Sequence, residues 1–183
     1  MYSGRGDKGM TDTSTGQRVS KSDQLMEWEG TLDELISQLG VSWSDCEFED
    51  IRNDIYTVQR DLFALGEEIL TEGQGRCLRA DGVSWLEDKI KAYQKEIGEI
   101  KLFVIPGGSK TSSSLQLSRA VTRRAERRLI ELKLSRKIND LIPQYMNRLS
   151  SFLFFIALAS NKRNNFRERL WEWPNPERTT KKE

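Results

Sequence analysis

The chain has 183 residues with 29 basic and 28 acidic side chains, so its net charge is only +1. A nearly neutral protein does not attract nucleic acid or an anionic membrane through its overall field, and any anion site must come from local clustering of cations. Histidine is absent, which excludes His-based acid–base catalysis, Ser-His triads and imidazole metal ligation. Cys46 and Cys77 do not form a CxxC pair, so a structural zinc site is not expected.

The apolar segments of the chain bear on its location. The N-terminal residues lack the apolar core of a signal peptide. The most apolar run, Leu149 to Ser160, is shorter than the ~20 residues that a membrane helix needs, and it indicates a buried core helix instead. The sequence therefore predicts a soluble cytoplasmic protein that binds neither nucleic acid nor a membrane.

Residues 1–22 are rich in Gly, Ser and Thr and have no helical periodicity. Gly4 to Gly9 formally matches GxGxxG, but the dinucleotide-binding fingerprint needs a preceding strand, for which there is no room. Glycines would still let backbone N–H groups approach an anion, and hydroxyl groups would add donors. Two interpretations stay open for this segment, a flexible tail and a loop that holds a triphosphate.

Five stretches with apolar residues spaced three and four apart follow in chain order. They are Leu25–Leu39, Ile51–Ile69, Leu86–Ile100, Leu115–Leu132 and Ile138–Ala159, with breaks at Gly40, Gly73–Gly75 and Pro106–Gly108. This spacing aligns the apolar residues along one face of each helix. The sequence predicts an all-α protein, a five-helix up-and-down bundle over residues 23–160 that follows the glycine-rich loop over 1–22.

The C-terminal segment, residues 161–183, is polar but contains Trp171 and Trp173. A polar segment of this kind is often a disordered tail. The two tryptophans equally suit a segment that docks on the bundle or on a partner subunit. Both interpretations of this tail stay open.

The fourth predicted helix carries five arginines and one acid within ten residues, Arg119 to Arg128. Arg119, Arg123 and Arg127 share one face because they are spaced by four. Guanidinium groups bind phosphate oxygens in pairs, so this face is a candidate phosphate clamp. A solvated charged face is the alternative. Nucleic-acid binding is not favoured, because no aromatic residues are interleaved with the arginines.

Six motifs, taken in order, resemble those of the PduO-type ATP:cob(I)alamin adenosyltransferases. They are Gly6–Thr11 (GDKGMT), Gly16–Lys21 (GQRVSK), Gly30–Leu35 (GTLDEL), Phe103–Gly108 (FVIPGG), Arg119–Arg127 (RAVTRRAER) and Asn147–Phe154 (NRLSSFLF). Their order and approximate spacing hold over residues 2–158. Each motif is weak alone, whereas all six in order are specific.

The resemblance implies an enzyme that transfers the 5′-deoxyadenosyl group of ATP, with its Mg²⁺, to the cobalt of a reduced corrinoid. The products would be adenosylcobalamin and triphosphate. It also implies a homotrimer with its sites at the subunit interfaces, and a reductase and an adenosylcobalamin-dependent enzyme as possible partners. The alternatives are a non-catalytic bundle that binds nucleotide or corrinoid as a chaperone or sensor, and a purely structural oligomer.

The resemblance also implies roles for individual residues, none of them a protein ligand of a metal. Nucleotide-binding roles fall on Ser3, Gly4, Arg5, Gly6, Thr11, Asp12, Lys21, Arg123, Arg124, Glu126, Arg127 and Asn147. Catalytic roles fall on Asp33, Phe103, Arg119 and Arg123. Arg119 would pair with Asp33 of a neighbouring subunit. Phe103 would displace the lower axial ligand of the corrinoid, because four-coordinate cobalt(II) is easier to reduce; without the resemblance, Phe103 is interpreted as a core aromatic.

Four positions depart from the pattern of that family. Ser3-Gly4-Arg5 replaces Thr-Lys/Arg-Thr, Asp12 replaces a hydroxyl residue, Gln116 replaces a histidine, and Ser151 replaces an aspartate. The resemblance therefore does not carry the family's contacts over unchanged at these positions.

Overall fold

The structure is a computed structural model that describes residues 4–100 and 102–171. Its described part contains five helices, α1 (Gln24–Asp45), α2 (Glu49–Leu70), α3 (Gly82–Ile97), α4 (Lys110–Leu132) and α5 (Leu141–Arg163). The predicted helical-bundle fold is confirmed. Among these helices, none is both long and apolar enough to cross a bilayer.

Helix α4 lies at the centre of the bundle. It packs against α1 on one side and α5 on the other, while α3 packs against α5 and α2 against α1. The apolar stripes are buried as their spacing predicts, and Trp28, Tyr145 and Phe152 are among the largest fully buried side chains. The order of packing across the bundle is therefore α2–α1–α4–α5–α3.

Several helix ends differ from those that the sequence predicts, three of them with a clear physical reason. Helix α1 continues through Gly40 to Asp45, and Ser42 beyond that glycine is buried. A helical glycine costs about 1 kcal/mol, which the packing of one more turn offsets. Helix α3 ends at Ile97 because Gly98 adopts a φ of +85°. Helix α5 reaches Arg163, whose guanidinium bonds Glu96 at 2.8 Å.

Two short antiparallel ribbons accompany the bundle, although the sequence analysis predicted no strands. In the first, β1 (Met10–Asp12) pairs with β2 (Arg18–Ser20), inside the glycine-rich segment. In the second, β3 (Phe103–Ile105) pairs with β4 (Arg169–Trp171), so that Phe103 lies opposite Trp171. The predicted tail thus contains, in its described part, the last turn of α5 and a strand that docks on β3. Trp173 lies outside the described residues.

Three buried acids spaced by seven residues fix the position of α2. Their partners are Tyr93 and Lys89 for Asp54 (2.8 and 2.6 Å), Arg79 and Tyr145 for Asp61 (both 2.9 Å), and the Leu78 amide and Asn139 for Glu68 (both 2.8 Å). A buried carboxylate is tolerated only when it is paired and hydrogen-bonded in this way. The pairs therefore hold α2 in one register against the rest of the bundle.

Candidate active site

The glycine-rich segment folds into a loop closed by the β1–β2 ribbon. Gly4 and Gly9 adopt φ values of +65° and +76°, which favour glycine. A Cβ on Gly6 would lie 3.0 Å from Lys21 Nζ, so the lysine side chain lies directly against the glycine turn. The Lys21 amide donates to Gly9 O at 2.9 Å. The structure thus brings Gly6 and Lys21 together, in an arrangement suited to an anion. Gly4 lies beside the Asp7 carboxylate, and Ser3 lies outside the described residues.

Asp12, at the end of β1, does not present a bare carboxylate to this loop. Its Oδ1 accepts hydrogen bonds from Arg5 Nη2 at 3.3 Å and from Arg18 Nη1 at 3.2 Å. Arg18 also donates to the Arg5 carbonyl at 2.6 Å. Two guanidinium groups compensate one carboxylate, so the cluster keeps a positive charge. Thr11, the neighbouring predicted contact, is half-buried in β1.

Arg18 was missed by the sequence reasoning. It lies directly opposite Asp12 in the ribbon, and the two strands are only five residues apart. A signal did exist in the sequence, because Gly16 precedes Arg18 and a tight turn at that glycine can bring Arg18 opposite Asp12. Without a strand prediction, that pairing could not be inferred.

Four of the five arginines of α4 divide into two groups. Arg124 forms an ion pair with Glu34 of α1, and Arg128 pairs with Glu27 at 3.0 Å; both therefore help to hold α4 against α1. Arg123 and Arg127 are exposed, and Arg127 Nη1 donates to the Arg123 carbonyl at 3.2 Å. The exposed pair has the accessibility that a phosphate clamp requires, whereas Arg124 already has an acidic partner within the chain.

Arg119 of α4 is half-buried and lies against α5. Its Nε donates to Gln116 Oε1 at 2.8 Å, and its guanidinium carbon lies 6.0 Å from the centre of the Phe154 ring. Burial, reinforced by the charge of Arg123, lowers the pKa of Arg119 from its ordinary value. Gln116, which is itself only 5% exposed, fixes the direction of this guanidinium. From the sequence alone, no role was predicted for Gln116 or for Phe154.

Asn147 of α5 and Glu126 of α4 meet where these two helices pack together. Asn147 Nδ2 donates to Glu126 Oε1 at 3.1 Å, and Asn147 Oδ1 accepts from Arg148 Nη1 at 2.8 Å. The amide is therefore held in one orientation. The α4–α5 surface brings together five predicted residues, Arg119, Arg123, Glu126, Arg127 and Asn147.

Asp33 lies on a different surface from this cluster. It is exposed and lines a groove of about 1310 Å³ between α1 and α2, whereas the adjacent Glu34 turns toward Arg124 on α4. Burial and the nearby Asp33 charge raise the pKa of Glu29, which lines the same groove. Within one chain the structure therefore does not bring Asp33 and Arg119 together, and Asp33 does not lie in the bundle interior.

Phe103 is not a core residue. It is 83% exposed on β3, opposite Trp171, which is 52% exposed. The interpretation of Phe103 as an ordinary core aromatic is therefore wrong. Its backbone is held by strand pairing, and its ring is free to contact a ligand.

Comparison with known proteins shows which family this chain is similar to. The profile of a family described as cobalamin adenosyltransferase matches residues 1–160. The corrinoid adenosyltransferase of Bacillus subtilis is 39% identical over 170 residues, which cover 90% of this chain and 88% of that protein. The cobalamin adenosyltransferase of Cupriavidus metallidurans is 35% identical, with 91% of each chain covered.

Solved structures agree with these sequence matches. A variant of the PduO-type ATP:corrinoid adenosyltransferase from Lactobacillus reuteri, complexed with cobalamin and ATP, superposes with a TM-score of 0.88 at 30% identity. The alignment covers 94% of this chain and 96% of that one. By profile, by sequence identity and by fold, this chain belongs to the cobalamin adenosyltransferase family.

Proposed function

We propose that this protein transfers the 5′-deoxyadenosyl group of ATP to the cobalt of a reduced corrinoid and releases triphosphate. The observation that carries the proposal is the N-terminal loop, where Lys21 lies against the glycine turn in a chain of this family. The loop leads through Ser22 and Asp23 into α1, whose first residue, Gln24, bonds Glu131 at 3.3 Å near the end of α4. The exposed Arg127 is one turn of α4 away from Glu131, about 6 Å along the helix.

The proposed reaction needs no side-chain base. The electron pair of cobalt(I) forms the bond to C5′ of ATP, and the electrons of the C5′–O bond leave with the triphosphate. Charge then grows on the departing oxygens, and cations placed there in advance stabilise it. Such cations are supplied by Lys21, Arg123 and Arg127. Because the reaction needs no side-chain base, it is compatible with a chain that has no histidine.

Magnesium would accompany the ATP in this proposal and would neutralise charge on the triphosphate. Mg²⁺ bound with nucleotides commonly takes phosphate oxygens and waters as most of its ligands. Over residues 4–100 and 102–171, no group of three or more acidic or cysteine side chains is placed to hold a metal. Of the two carboxylates in the loop, Asp12 is engaged by Arg5 and Arg18, and Asp7 lies beside Gly4. The residues present therefore suit an ion carried in by the nucleotide.

We also propose that the site forms between subunits of a homotrimer. Arg119 and Asp33 lie on separate surfaces of one chain, and the groove that contains Asp33 also contains Glu29, whose pKa is raised by burial and by the Asp33 charge. A cation contributed by a second copy would compensate these carboxylates. Arg119, which is oriented by Gln116, has the matching charge.

Phe103 would act before the transfer, by occupying the space of the lower axial ligand of cobalt(II). Its exposure supports this role, because a ring that is 83% exposed contributes little to the core of the isolated chain. Several further points stay predictions from the sequence. They are a cytoplasmic location, a reductase and an adenosylcobalamin-dependent partner. The division of the chain stays a prediction as well, with a nucleotide-binding loop over 1–22, a bundle over 23–160 and a tail over 161–183.

The test is an anaerobic assay with ATP and chemically reduced cobalamin, in which the absorbance spectrum reports the adenosylated product. We expect turnover that depends on ATP and yields triphosphate. Binding of ATP or corrinoid without turnover would instead support the non-catalytic chaperone or sensor. Absence of binding would leave only a structural oligomer.

A further inference from the structure

The turn between β3 and α4, Pro106–Gly107–Gly108, is held by a buried amide of α5. Asn161 is only 1% exposed. Its Nδ2 donates to Gly107 O at 2.9 Å, and its Oδ1 accepts from the Ser109 amide at 2.9 Å. One side chain therefore bonds the backbone on both sides of Gly108.

The two glycines of this turn make room for its tethers. Gly108 has a φ of +103°, and a Cβ there would overlap the Asn161 carboxamide. A Cβ on Gly107 would lie 2.6 Å from Arg169 Nη2 of β4, which donates to Pro106 O at 3.1 Å. A side chain at either position would push a tether away.

Asn161 also joins the turn to the segment that precedes β4. The same Nδ2 donates to Glu168 Oε1 at 2.9 Å, and β4 begins at the next residue, Arg169. Ser109, the N-cap of α4, adds a contact to Ser160 of α5, with 3.2 Å between their hydroxyl oxygens. The end of α5, the turn and the β3–β4 ribbon thus form one hydrogen-bonded unit.

This hydrogen-bonded unit fixes the position of Phe103. Packing against the core does not hold the ring, since it is 83% exposed, and β3 is only three residues long. We infer that Asn161 is a positioning residue for Phe103. Asn161 acts by fixing the Pro106–Gly108 turn and the β3–β4 ribbon in place. The inference rests on the proposed function, because the role of Phe103 belongs to that function.

The first test measures the tether without any activity. Asn161→Ala removes the amide. Asn164→Ala is the matched control, since within residues 4–100 and 102–171 Asn164 Nδ2 donates only to Ser160 O, at 2.9 Å. We expect amide hydrogen exchange in 102–109 and 169–171 to quicken in Asn161→Ala, the Ser109 amide included. The helices α1 to α4 should keep their protection, and Asn164→Ala should change neither ribbon nor turn.

The second test asks whether the tether serves Phe103. A displacement of about 1 Å can cost on the order of a hundredfold in rate, so we expect Asn161→Ala to lose about tenfold or more when the reaction starts from cobalt(II). Starting from cobalt(I), the loss should be several times smaller. In a Phe103→Ala background the selective part of the loss should vanish, as a double-mutant cycle requires of coupled residues.

Arg169→Ala covers the case in which Asn161→Ala fails to fold, because Arg169 is exposed and its loss removes only the outer tether. It should show a smaller effect of the same sign in both tests. Unchanged exchange in the turn, or equal losses from cobalt(II) and cobalt(I), would overturn the inference. A wild-type protein that adenosylates no corrinoid would refute the proposed function, while the exchange data would still decide whether Asn161 holds the turn.

Discussion

Replacing Phe103 with alanine should damage the reaction while leaving the protein folded. About one sixth of the residue is covered in the structure, since it is 83% exposed. An aromatic side chain buries on the order of 200 Å² when fully enclosed, so about 35 Å² are at stake here. At about 25 cal/mol per Å², the free energy of unfolding should fall by about 1 kcal/mol or less.

Phe152→Ala is the matched comparison. Phe152 is fully buried, 5.8 Å from the Trp85 ring and 6.1 Å from the Tyr93 ring. Truncation of a buried phenylalanine costs about 3–5 kcal/mol. Urea denaturation should therefore separate the two variants by several kcal/mol, although each loses the same atoms.

Although Phe103→Ala should hardly change stability, it should have a large effect in the activity assay. We expect Phe103→Ala to lose far more rate when supplied with cobalt(II) and a reductant than when supplied with cobalt(I), because its ring is proposed to act before the transfer. Equal losses from both oxidation states, or a fall in stability as large as that of Phe152→Ala, would refute this reasoning. The first result would remove Phe103 from the reduction step, and the second would return it to the core.

The exposed arginines, the subunit interface and the N-terminal loop give three further predictions. Arg123→Ala and Arg127→Ala should each lose about 1.5–3 kcal/mol of transition-state stabilisation, measured as kcat/KM, with unchanged melting; normal turnover in both variants would mean that this face is only solvated. Asp33→Ala and Arg119→Ala should each be inactive alone, but mixing and reassembling the two should restore part of the activity, since some interfaces then carry both native residues. No recovery on mixing, in trimers shown to exchange subunits, would contradict a shared site. Deletion of residues 1–12 should abolish ATP binding in calorimetry without lowering the helical circular dichroism signal, and an unchanged affinity would favour the tail interpretation.

The sequence by itself determined the helices and the family. Helix formation is decided by residues three and four apart, so the stripe from Ile51 to Ile69 was readable without any tertiary information, and α2 covers it. The six motifs were readable for the same reason, because each is a short local run. The ends of the helices were less certain. Gly40 looks like a stop, but packing beyond it carries α1 to Asp45.

Only the tertiary structure decided which of the candidate residues meet. The pairing of Phe103 with Trp171 joins strands from distant parts of the chain, and three-residue strands carry no periodicity by which to find them. The exposure of Phe103 follows from that pairing, although an aromatic residue in an apolar run is usually buried. Likewise, Arg18 compensates Asp12 only once the hairpin closes. Asp33 and Arg119 lie on different surfaces because Asp33 of α1 faces the groove with α2, whereas Arg119 of α4 lies against Phe154 of α5. Composition and spacing along one helix carry no record of which neighbouring helix each side chain meets.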